Sequence, residues 1–66
     1  MLKLTAREQE VLNLYVREGR LRPVAQALGL SLHTVRHQRE SLMKKLGVRN
    51  SAQLTLAAIQ KGLVKQ

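Results

Sequence analysis

The sequence predicts an all-α domain of four helices, and three observations carry that prediction. No stretch alternates polar and apolar residues with period two, so nothing reads as a strand. Thr5, Ser31 and Asn50 are good N-capping residues, each standing just ahead of a helix-periodic apolar run. Gly19, Gly29, Gly47 and Gly62 follow the points where four helices would stop.

The first helix starts at LTARE. Thr5 with Glu8 three residues later is a capping box, in which each side chain satisfies the other residue's free backbone N–H. Val11, Leu12, Leu14 and Tyr15 then fall within an arc of about 160°, a single apolar face, and the helix ends near Glu18. Pro23 suits the first turn of a short second helix, where its missing N–H has no partner to lose. Val24, Ala25 and Leu28 give this helix a narrow apolar stripe before Gly29 closes it. Ser31 caps a third helix over residues 32–46. Asn50 and Gln53 form a capping pair for a fourth, over residues 51–61, which Gly62 ends before the tail LVKQ. Short helix, tight turn LGLS and longer helix, with Leu30 as a buried pivot, make the arrangement of a helix-turn-helix. In that arrangement the first helix braces the second and leaves one face free for the DNA major groove.

Sixty-six residues form one domain, 1–66, and a small one. A chain of this length buries only about 60% of its unfolded surface. With no cysteine there is neither a disulfide framework nor a thiolate zinc site, so the core must be aliphatic packing alone. The charge is lopsided: twelve Lys and Arg face four acids, Glu8, Glu10, Glu18 and Glu40, for a net of +8. Such a balance favours a polyanionic partner, nucleic acid first and an anionic membrane surface second. No segment has the length of a membrane span and the N-terminus lacks a signal-peptide core, so a cytoplasmic location is expected.

Helix three shows what that charge is for. With Arg36 set at 0°, Val35, Leu42 and Leu46 fall between about 240° and 280°, the core side. His33, Arg36, His37, Glu40 and Lys44 lie between about 0° and 100°, facing outward. This face consists of donors and imidazoles suited to base edges and phosphates. Arginine can bridge guanine O6 and N7, so His33, Arg36, His37 and Glu40 are the candidate base readers. Glu40 can accept from cytosine N4, or pair with Arg36 or Lys44 one turn away. Ser31 and Thr34 at the helix start can bind phosphate beside free backbone N–H groups. Ser41 on one flank, Lys44 and Lys45 complete the expected phosphate set.

In its order and spacing of fragments the chain resembles the LuxR/FixJ-type (GerE-like) helix-turn-helix domain of bacterial transcription regulators. The carriers are LTAREQEVLNL, VAQALGLSLHTVR, LMKKLGV and AQL..AAIQKGLV, which together cover Leu4 to about Val64. The resemblance implies a four-helix fold, a third helix that reads the major groove and a fourth that pairs with its twin. Arg36 matches the basic residue of the family's T-V-K/R segment, and His37 and Glu40 match variable reading positions. Thr34 and Lys45 match positions expected near the DNA backbone. Leu56 and Ile59, spaced i,i+3 and projecting elsewhere than the core-facing Leu54 and Ala58, become the expected dimer contact, with an inverted-repeat operator and a weakly associated free domain. The chain departs from the family at Gln38, usually His; at Ser51, usually Arg; at Ala6, usually Pro; and between Gly19 and Val24, one residue shorter than usual. A Gln38 amide on the edge of the buried side needs internal partners, or costs about 1–3 kcal/mol unsatisfied.

Other functions fit less well. His33 and His37 are spaced to share a metal, but Thr34 stands where a zinc hydrolase motif needs Glu, and no cysteine or aspartate supplies further ligands, so no metal and no cofactor are expected. No nucleophile has a paired base, no glycine-rich phosphate loop occurs and the chain is too short to enclose a pocket; no enzyme and no small-molecule substrate are expected. Tyr15, the one aromatic, cannot build a stacking platform for single-stranded nucleic acid. The remaining alternatives are a sigma-factor-like promoter-recognition module, which shares an L-T-x-R-E start, and a basic module binding an acidic protein partner.

Overall fold

The computed structural model describes residues 3–64. Its elements are α1 (Ala6–Glu18), α2 (Leu21–Leu28), α3 (Leu32–Leu46) and α4 (Ser51–Gln60), with no strand among the described residues. The all-α expectation holds, and the local chemistry behind most boundaries is visible.

At the start of α1, the Glu8 N–H donates to Thr5 Oγ1 at 3.1 Å and the Thr5 N–H donates to Glu8 Oε1 at 2.9 Å, closing the capping box. Helix α2 begins two residues before Pro23, which therefore takes the third helical position, still among donors without intrahelical partners. Arg20 precedes it in extended backbone and lends no side-chain cap. Gly29 then adopts φ 67°, and the Leu30 N–H reaches back to the Ala25 carbonyl at 2.9 Å. Gly47 repeats the device at φ 68°, with the Val48 N–H on the Met43 carbonyl at 3.0 Å. This left-handed geometry strains any residue with a Cβ, which is why glycine stands at both turns.

For α4, Asn50 Oδ1 accepts the Gln53 N–H at 2.9 Å, while Gln53 Oε1 accepts the N–H of Arg49, one residue upstream of the cap, at 2.9 Å. The helix stops at Gln60, one residue earlier than the spacing predicts, with Lys61 as its C-cap. Leu63 and Val64 then turn back onto the core, and Lys65 and Gln66 lie outside the described residues. Gln9 secures that return: its Nε2 donates to the Leu63 carbonyl at 2.7 Å and to Asn13 Oδ1 at 2.9 Å.

The core is drawn from all four helices: Val11, Leu12 and Tyr15; Val24 and Ala25; Val35, Leu42 and Leu46; Leu54 and Ala58. Helices α1, α2 and α3 pack on one another, and α4 lies against α3 and α1. Leu30, expected as a buried pivot, is half-buried, because it sits on the turn rather than on a helix face and only its inner side meets the core. Complete burial of Val35 and Leu42 locks the rotation of α3. Each such side chain contributes about 1.5–3 kcal/mol of transfer free energy, so turning α3 about its axis would forfeit several kcal/mol.

Candidate nucleic-acid interface

With its inner side locked, α3 turns His33, Arg36, His37, Glu40 and Lys44 to solvent, all of them exposed. The two imidazoles lean together one turn apart, ring centroids 4.7 Å apart and planes at 68°. Among the described residues the ion pairs are Arg7–Glu10 at 3.7 Å and Lys45–Glu8 at 2.6 Å. Glu40 belongs to neither, so the pairing with Arg36 or Lys44 that its spacing permits is not made, and its carboxylate is left free as an acceptor.

At the N-terminus of α3 the Thr34 N–H donates to Ser31 Oγ at 3.1 Å, and the two hydroxyls share a hydrogen bond of 2.9 Å. One hydroxyl donates to the other, so the pair retains one O–H for an outside acceptor. Ser41 is exposed on the flank. Lys45 behaves differently from Lys44. It points toward α1, where its ammonium meets the same Glu8 carboxylate that closes the capping box. That ammonium, followed by the Thr5 N–H, holds the Glu8 carboxyl below its ordinary pKa.

The charge is also sorted in space. Three of the four acids lie on α1, and Glu8 and Glu10 there are already paired with cations. Helix α3 carries four Lys or Arg and the two histidines against Glu40 alone. Two polar atoms stand out, one on either side of its buried stripe: Gln38 Oε1 and Arg39 Nε are buried without a hydrogen-bond partner. No group of three or more potential metal ligands occurs among the described residues. No helix is long and apolar enough to cross a membrane.

A basic helix presented on a helix-turn-helix frame has close counterparts. Residues 2–58 match the family described as bacterial regulatory proteins, luxR family. The chain belongs to that family. It is 35% identical over 63 residues to the transcriptional regulatory protein MctR of Rhizobium johnstonii, covering 96% of this chain and 29% of MctR. Among solved structures it is similar to Vibrio cholerae VqmA without target DNA, with a TM-score of 0.91, 36% identity and coverage of 98% of this chain and 30% of that one. The VqmA–ligand–DNA complex gives a TM-score of 0.90 at 36% identity, covering 96% of this chain and 28% of that one. The transcription factor GerE gives 0.82 at 32% identity, covering 94% and 92% of the two chains. The chain thus spans under a third of MctR and VqmA but nearly all of GerE.

As a LuxR-family helix-turn-helix domain, the protein is a DNA-binding unit of transcription regulation. Three features of its surface were not anticipated from the sequence: the Glu8–Lys45 pair, the Gln9 hold on Leu63, and the exposure of Leu32 at 36% on the first turn of α3. The first two join distant segments and leave no local signal. Leu32 could have been found, since it lies only about 40° from Arg36 on the helical projection.

Proposed function

We propose that this domain binds double-stranded DNA with α3 in the major groove. The observation that carries the reading is the outward stripe of α3, polar and mostly basic from His33 to Lys44 while the opposite stripe is sealed into the core. His33, Arg36, His37 and Glu40 meet base edges, Arg36 spanning guanine O6 and N7 and Glu40 accepting from cytosine N4. Ser31, Thr34, Ser41, Lys44 and Lys45 meet phosphates and set the register, with the first-turn N–H groups of α3 adding to the anion site. The binding of VqmA to DNA and ligand in one complex supports the reading for this fold. No cofactor is required for it.

Two copies sit on an inverted repeat, brought together by DNA. Leu56, 55% exposed, and the half-buried Ile59 lie on α4 and form a small patch that meets its own copy across a two-fold axis. Such a patch falls well below the roughly 1,200 Å² of a stable interface, so the free domain is mostly monomeric.

Selection from randomised duplexes, followed by binding of Arg36→Ala to the selected site and its point variants, tests the reading. The expected result is a loss of about 1–3 kcal/mol confined to one base pair, where the variant no longer discriminates. An equal loss on every sequence would remove Arg36 from the base readers. Failure to enrich any duplex, with retained binding to an acidic polypeptide, would remove DNA as the partner.

A further inference from the structure

Leu32 is only partly taken up by the packing of this domain. It and Leu56 are the exposed large hydrophobics among the described residues. Leu32 is the first residue of α3, directly after the Ser31 cap, and is exposed at 36% while Val35 on the same turn is fully buried. Its neighbours are polar: Ser31 and His33 flank it in sequence, and Arg36 stands one turn further on the same side, about 40° away. Helical side chains lean toward the N-terminus, so Leu32 projects past the start of the helix, ahead of Arg36. The ring of His33 meets that of His37 one turn on, with centroids 4.7 Å apart.

A single exposed leucine with Ser31, His33 and Arg36 beside it on the helix is too small for a protein-binding patch and useless for a phosphate. Among the groups a recognition helix meets in the major groove, one is apolar: the C5-methyl of thymine. The N-terminal residues of such a helix are also the ones that reach base edges. We propose that Leu32 is a specificity residue that packs on a thymine methyl one or two base pairs from the pair engaged by Arg36. This rests on the reading of α3 as the groove-entering helix. It adds an apolar contact to a readout otherwise made of hydrogen bonds. An operator half-site should then hold a thymine for which deoxyuridine, identical in pairing but lacking the methyl, is a poor substitute.

The test uses the domain on its selected duplex, with each thymine of a half-site replaced in turn by deoxyuridine. At one position the wild-type protein should lose about fourfold in affinity, the worth of one buried methyl. Leu32→Ala, checked for helicity by circular dichroism, should bind the thymine duplex about fourfold or more weakly and no longer distinguish deoxyuridine from thymine there. Leu32→Gln should shift the preference at that position toward adenine, whose N6 and N7 a glutamine amide can span. Wild-type affinity unchanged by deoxyuridine at every position would overturn the proposal, as would a Leu32→Ala variant that keeps the full methyl effect. If Arg36→Ala still relaxes one base pair in that case, the reading of α3 stands and Leu32 alone is misassigned. If no duplex is selected at all, both fall.

Discussion

Glu8 and Lys45 stand 37 residues apart in sequence, yet their side chains meet at 2.6 Å. The carboxylate closes the cap of α1 with one hydrogen bond and anchors the end of α3 with the other, so a single side chain joins two elements. Both residues are legible in the sequence, Glu8 as a capping partner and Lys45 as a basic residue, but nothing local reports that they touch. The pair is partly open, with Lys45 36% exposed, and solvent screening limits it to about 1 kcal/mol or less. Its pH dependence has a definite sign. Because the folded-state pKa of Glu8 is lowered, its contribution is present above the ordinary value of 4.5 and lost as pH falls through the lowered folded value. Urea unfolding of wild type and Glu8→Gln should therefore differ at pH 7 and converge in strong acid. A gap that persists unchanged in acid would mean that the variant acts through packing rather than charge. The pairing also bears on the proposed phosphate contacts. Lys44 keeps its whole charge for DNA while Lys45 must share its own, so Lys44→Ala should weaken binding more than Lys45→Ala on every sequence alike.

Element boundaries are readable where the determinant is a neighbour in the chain. Thr5 with Glu8, Ser31 with Thr34, Asn50 with Gln53 and the glycines at 29 and 47 all act within five residues, and the helices start and stop where those residues say. The start of α2 has no such mark, since Arg20 makes no cap, and the helix begins two residues before the proline that suggests it. The fold-back of Leu63 depends on Gln9, 54 residues away, and is not locally encoded. The outward face of α3 is legible because burial of three apolar residues leaves only one way to rotate the helix. Two element-scale predictions follow from the same physics. Gly47→Ala should cost about 1–2 kcal/mol through backbone strain alone, because a Cβ there meets nothing within 4 Å. Gln38→Met should hold stability or raise it by about 1 kcal/mol, since it removes a buried acceptor that has no partner and keeps the volume. Both are read from thermal or urea unfolding; a Gly47→Ala variant as stable as wild type would contradict the turn geometry.

At the scale of the molecule, a net charge of +8 on 66 residues makes electrostatics the first determinant of the proposed binding. If α3 and its flanks neutralise about 4–6 phosphates per subunit, the logarithm of affinity should fall with the logarithm of salt at a slope of roughly −4 to −5. A slope near zero would rule out this mode. Association of two copies is a separate question, and α4 is where it can be isolated. Leu54 and Ala58 on that helix are fully buried, so substitutions there would unfold the domain and report nothing about pairing. Ile59 is half-buried and stands outside the packed core, while Leu56 on the same patch is largely exposed. Replacing Ile59 with Glu places a charge in the proposed two-fold contact, opposite the same charge on the second copy, and leaves the proposed DNA-facing side of α3 untouched. The variant should keep its helicity and its affinity for a single half-site, while binding to a duplex with two inverted half-sites loses its cooperativity. Cooperative filling that survives in Ile59→Glu would place the contact between copies elsewhere on the domain.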